Sequence, residues 1–149
     1  MITQFILAMF ATLGCCIIFH LPKRCMPASA VLGAIGWVTC QIAMNYGLSM
    51  TLATFLAALL VAMIGEAFAR MLKDAATLFV IPGIIPLVPG GCMYYAMLYF
   101  IQGDSSLAGE WAAKAFMTAA AIAIALLVMS SVINIIVKIY EKVHSSSEE

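Results

Sequence analysis

The sequence predicts an all-α integral membrane protein of about five transmembrane helices, the fourth broken by a Pro/Gly-rich segment. Three observations carry that expectation. The 149 residues are 65% hydrophobic and 9% charged, with mean hydropathy +1.11, whereas soluble domains carry about 25% charged residues. The apolar residues fall into five runs separated by short polar or glycine-bearing turns. Inside the fourth run stands "LFVIPGIIPLVPGGCMYY", residues 78–95, with three prolines and three glycines where a spanning helix tolerates few.

The runs lie at residues 2–19, 28–44, 50–66, 75–101 and 112–137, followed by a polar tail at 143–149, and they form a single membrane domain. A hydrocarbon core of about 30 Å needs about 20 helical residues, so the second and third runs are short and call for snorkelling or a thin local bilayer. No Lys or Arg precedes the first run, so it reads as a retained span and not as a secretory signal. "HLPKRCMP" forms a basic turn bracketed by Pro22 and Pro27, and "NYGLS" a second turn around Gly47. With five spans, Lys23, Arg24, Arg70, Lys73, Lys138 and Lys142 fall on one side, while Lys114 falls opposite beside an outer turn carrying Asp104 and Glu110. The positive-inside rule then places the N-terminus outside and the C-terminus in the cytoplasm of a cell whose plasma (inner) membrane holds the chain.

The broken run carries the chemistry. Pro82 frees the carbonyl of Leu78, and Pro86 and Pro89 disturb those of Pro82 and Ile85, so helix is not expected to run cleanly from Val80 to Gly90. Half-helices over residues 75–81 and 92–101 would flank an unwound stretch at the membrane midplane, the arrangement by which transporters build solute sites. Gly90 and Gly91 would open the second half-helix with bare amides suited to a carboxylate. Freed carbonyls could take an ammonium or hydroxyl group, and Tyr94 and Tyr95 could line the cavity. Substrate-binding candidates are therefore Pro82, Gly83, Pro86, Pro89, Gly90, Gly91, Tyr94 and Tyr95, with Asn134 from the last span. A proline-kinked helix that only packs against its neighbours is the plainer alternative.

"IPGIIPLVPGGCMYYAM", preceded by "KDAATLFV" and followed by "QGD", resembles the signature of the threonine/serine exporter family, in particular its short membrane subunit. That subunit corresponds to the C-terminal membrane part of the fused exporters, and a two-subunit branch is associated with succinate export. The resemblance covers roughly residues 10–137. It implies export of small hydrophilic metabolites, driven by an ion gradient, together with a second and larger subunit.

Elsewhere, Ala58, Ala62, Glu66 and Arg70 share one face of the third run, with Glu66→Arg70 and Arg70–Asp74 spaced as a ladder of ion pairs. Glu66, the acid nearest the hydrocarbon, is with Arg70 the candidate for coupling or gating. Ala115, Ala119, Ala123, Ser130 and Asn134 suggest a small-residue packing stripe, and Gly33 and Gly36 another close helix contact. The five cysteines lack metal or disulfide spacing and read as packing residues. No catalytic set, cofactor loop or metal cluster is seen, and zero net charge offers no field for nucleic acid. Five short helices hardly enclose a water-filled route, so a larger subunit of the same family or a homo-oligomer is expected among lipids. Three functions follow: a threonine/serine exporter subunit, a C4-dicarboxylate exporter subunit, or a non-transporting membrane scaffold.

Overall fold

The computed structural model describes residues 2–145, with the side chains of Asn134 and of residues 136–145 outside the description. Every regular element described is helical: α1 (Ile2–Ile18), α2 (Met26–Asn45), α3 (Met50–Leu72), α4 (Thr77–Ile84), a 3-10 turn (Ile85–Leu87), α5 (Gly90–Ile101) and α6 (Ser105–Ser145). Three helices, α2, α3 and α6, are long and apolar enough to cross a membrane. The segments Thr77–Leu87 and Gly90–Ile101 make a fourth span bent by 44°. Helix α1, with 17 residues, reaches about 26 Å and completes the set of five passes.

Helix boundaries follow local chemistry. Pro27 sits in the first turn of α2 and not in the preceding loop as expected, because that position lacks an intrahelical acceptor anyway. Ser49 caps α3 by accepting from the Leu52 amide at 3.4 Å, and Asp104 accepts from the Leu107 amide at 3.1 Å. Four helices close the same way. His20, Gly47, Lys73 and Gly103 take positive φ after α1, α2, α3 and α5. The next amide in each case bonds back five residues: Leu21 to Cys16, Leu48 to Ala43, Asp74 to Ala69 and Asp104 to Tyr99.

Two expected boundaries are corrected. The third span does not stop at residue 66, because good helix formers continue it to Leu72 until left-handed Lys73 ends it. The last does not begin at 112, because capping by Asp104 starts α6 at Ser105, which puts Glu110 within the helix and leaves Asp104 alone at the turn.

The core is made of small residues meeting a few large ones: Ala53, Ala57, Ala58, Val61 and Ala69 of α3 pack with Leu32, Phe79, Ile84, Leu87, Ile122 and Ala125. Gly36 and Val61 lie near the centres of α2 and α3, and a Cβ on Gly36 would lie 2.5 Å from Val61 Cγ2. A Cβ on Gly83 would lie 2.9 Å from Val61 Cγ1 and 3.3 Å from Leu32. Helix α4 therefore meets its neighbours at mid-depth. Gly33 closes on Thr12 of α1 in the same manner. On α6 the packed stripe is Ala115, Thr118, Ala121, Ile122 and Ala125, whereas Ala119, Ala123 and Ser130 are exposed. The expected stripe was thus rotated, since a four-residue repeat drifts around a helix of 3.6 residues per turn.

At one end of the bundle the α1–α2 and α3–α4 turns meet, and Arg24 Nη2 reaches Asp74 Oδ2 at 2.8 Å. This replaces the expected Arg70–Asp74 pair. Left-handed Lys73 swings Asp74 off the helix face on which Arg70 stands.

Candidate functional site

The broken span is built in four steps. Helix α4 passes through Pro82 and ends at Ile84, three residues beyond the expected Ile81. The reason lies on α2: Ser29 Oγ, itself fully buried, donates to the Leu78 carbonyl at 3.1 Å, the group that Pro82 leaves without an intrahelical partner. The same hydroxyl also lies 3.0 Å from the Cys25 carbonyl. A single 3-10 turn then carries Ile85–Leu87, with the Ile85 amide bonded to the Pro82 carbonyl. Val88 is extended at φ −60°, ψ 131°, and its amide bonds the Ile85 carbonyl at 3.2 Å.

Pro89, at φ −75° and ψ 50°, makes an inverse γ-turn closed by the Gly90 amide on the Val88 carbonyl at 2.7 Å. Helix α5 starts there, two residues earlier than expected. Its first bond from the preceding chain joins the Met93 amide to the Pro89 carbonyl. The Gly91 and Cys92 amides bond no backbone carbonyl ahead of them, which leaves two donors at the positive end of a twelve-residue helix.

The carbonyls of Leu78, Pro82 and Ile85, expected to be open to an ammonium group, are thus each engaged within the protein. Unsatisfied carbonyls at membrane depth cost several kcal/mol, at least about 2 kcal/mol each, and the chain removes that cost locally. The donors are the groups that remain.

The expected site residues that are described separate into four places. Pro82 and Gly83 are buried in the core, and Pro86 lines a cavity of about 300 Å³ with Gln4, Ala8, Ala11 and Trp37. Pro89 is buried at the break, while Gly90 and Gly91 are exposed with open space within 4 Å of any added Cβ. A groove of about 730 Å³ runs beside them between α5 and α6, lined by Val88, Pro89, Met93, Met97, Ala112 and Phe116 among others. Tyr94 and Tyr95 are not part of that lining. They join an aromatic row in which Tyr95 stands 5.0 Å from Trp111 and 6.5 Å from Tyr99, with Lys114 Nζ 4.7 Å over the Trp111 ring. The Asn134 side chain lies outside the described residues.

Glu66 and Arg70 hold a loose pair, 3.8 Å apart. The four-residue face runs from buried Ala58 and Ala62 through half-buried Glu66 to exposed Arg70. Glu66 lines a cavity of about 340 Å³ together with Thr77 of α4 and Ser130 of α6.

Several residues escaped sequence reasoning. Ser29 is a lone serine near the start of an apolar run, and only its contact with α4 reveals its role. The Arg24–Asp74 tie includes Cys25, whose thiol donates to Asp74 Oδ2 at 3.2 Å. The Cys25 and Arg24 hydrogen bonds hold the Asp74 carboxyl below the usual carboxylate range. Its carboxylate in turn raises Arg24, while burial, reinforced by Asp74, raises the Cys25 thiol. Basic–acidic complementarity of the two turns was a usable signal.

No solved structure matches the chain. The family model described as "Threonine/Serine exporter, ThrE" matches residues 4–132, which include all of α2–α5, most of α1 and the apolar part of α6. The chain belongs to the threonine/serine exporter ThrE family.

Proposed function

We propose that this chain is a membrane subunit of a secondary exporter of small hydrophilic metabolites, with threonine and serine as its substrates. The observation that carries the reading is the break itself. At mid-depth of an apolar bundle the chain leaves α-helix for Ile85–Pro89 and restarts with the Gly91 and Cys92 amides free of backbone partners, Gly91 at an open face. Such donors suit a carboxylate, which threonine and serine carry. Pro89, Gly90 and Gly91 meet the substrate in this reading, while Pro82, Gly83 and Pro86 shape the segment that holds them. Glu66, with Arg70, gates the route at the basic end.

A partner belongs to the same reading. The backbone of α5 runs beside α6 alone, and Met93, Tyr94, Met97, Phe100 and Ile101 are exposed along it. A larger subunit of the family, or further copies of this chain, would turn the open side of the break into an enclosed route. The chain sits in the plasma (inner) membrane with its basic turns in the cytoplasm, as the loop cations favour.

The test is radiolabel efflux from cells that lack the chain and then regain it, with threonine, serine and succinate compared. Restored efflux of threonine and serine supports the reading. Restoration of succinate alone selects a dicarboxylate exporter, and restoration of none selects a scaffold.

A further inference from the structure

The hydroxyls inside the helices follow one rule, with one departure. Thr12, Ser29, Thr39, Thr54, Thr118 and Ser131 each hold the hydroxyl 2.8–3.0 Å from the carbonyl four residues back, Ser29 sharing its one proton between that carbonyl and Leu78. In an apolar setting this is how such a group is satisfied. Among the described residues with a helical turn ahead of them, Ser130 departs from the rule: its hydroxyl makes no such bond to Leu126. Ser130 lines the cavity of about 340 Å³ that also holds Glu66 and Thr77. That volume lies near the lower end of small-molecule sites, roughly 300–1,000 Å³.

The cavity gathers oxygen-bearing side chains from three helices, and one of them is ionisable. Glu66 Oε1 is 3.8 Å from Arg70, well beyond the roughly 2.7–2.9 Å of a charge-assisted bond. The carboxylate is therefore not tightly spent on its neighbour. A carboxylate with two hydroxyls offers four acceptor oxygens, enough for the three donors of a primary ammonium.

We propose that the Glu66–Thr77–Ser130 cavity is a binding site for the primary ammonium group of the transported solute. The inference rests on the exporter reading and supplies what the broken span lacks, because the carbonyls of Leu78, Pro82 and Ile85 are already engaged. It is a separate station. Helical rise from Thr77 to Leu87 is about 16 Å, too far for one small amino acid to touch Glu66 and the Gly91 amide together. The solute meets Glu66 at the basic end of the bundle and the amides at the break in sequence.

The experiment reads the cavity without requiring transport. Ser130→Cys is made in the full chain, kept in native membranes, and labelled with ethylammonium or ethylsulfonate methanethiosulfonate, with the parent chain as baseline for the native thiols. The expected result is cationic labelling faster than anionic by about tenfold, since a carboxylate in a cleft concentrates cations. Glu66→Gln should abolish the preference, and ethanolamine should slow labelling while succinate does not. Equal rates for both reagents, or no labelling by either, would overturn the site. A cationic preference that ethanolamine leaves untouched overturns it as well, by reducing the cavity to a charged vestibule. Failed efflux of threonine and serine in cells would defeat the exporter reading alone, and leaves the labelling result standing.

Discussion

The two halves of the broken span differ in how they are held. Helix α4 is locked: Ser29 bonds the carbonyl that Pro82 frees, Gly83 abuts Val61 and Leu32, and Phe79 is fully buried beside Phe68. The backbone of α5 runs beside α6 alone, with a side-chain contact from Cys92 to Met50 of α3 at 3.9 Å, and its first two glycines face open space. Proline therefore acts in two ways within one span. Where a neighbouring hydroxyl is waiting, the freed carbonyl becomes an inter-helix tie. Where the Val88 amide takes the freed Ile85 carbonyl and a γ-turn at Pro89 follows, the amides of the next helix are left over. A break is a binding site only on the side where its polar groups stay unanswered.

The largest effect that separates the halves is steric. Gly83→Leu drives a branched side chain into Val61 and Leu32, and should cost more than about 3 kcal/mol, at the upper end of overpacking. The chain should fail to accumulate or should melt far earlier in detergent. A normal melting profile would mean that α4 is not locked against α3.

The next prediction is a cycle. Ser29→Ala leaves the Leu78 carbonyl unpaired and should cost about 1–3 kcal/mol. Pro82→Ala restores an amide four residues on, so the double variant should recover most of the loss. Additive losses measured by thermal unfolding would break the proposed link between the hydroxyl and the proline.

The smallest effect concerns the tie at the basic end. Arg24 is largely exposed, so Asp74→Asn should lower the melting temperature only slightly. Since the Asp74 carboxyl is held below its unfolded value, its contribution is complete above about pH 4 and fades as pH falls through the lowered value. Stability of the parent and the variant should converge in that acidic range, and a gap that widens there would contradict the pairing.

Much of the architecture was legible in residues. Gly47 stands at its turn with positive φ, and the block from Pro82 to Gly91 marks a real break. What escaped was tertiary. Propensity cannot tell that Ser29 will reach Leu78, so the helix was expected to stop before Pro82. Nor can helical spacing tell that Lys73 turns left-handed and hands Asp74 to Arg24. On α6 the small residues are so many that the pattern gives no unique face, and packing chose Thr118 and Ala125 over Ala119 and Ala123. The Glu66 cavity needed three helices to converge before Thr77 and Ser130 could be joined to the acid.

The central claim is that the amides at the start of α5 face the solute. The most direct measurement is threonine efflux by Gly91→Leu, at matched membrane abundance and matched melting temperature. The added side chain has room, so the fold should be unchanged, and efflux should fall to the level of cells lacking the chain. Efflux equal to that of the parent chain would remove the break from the solute's route.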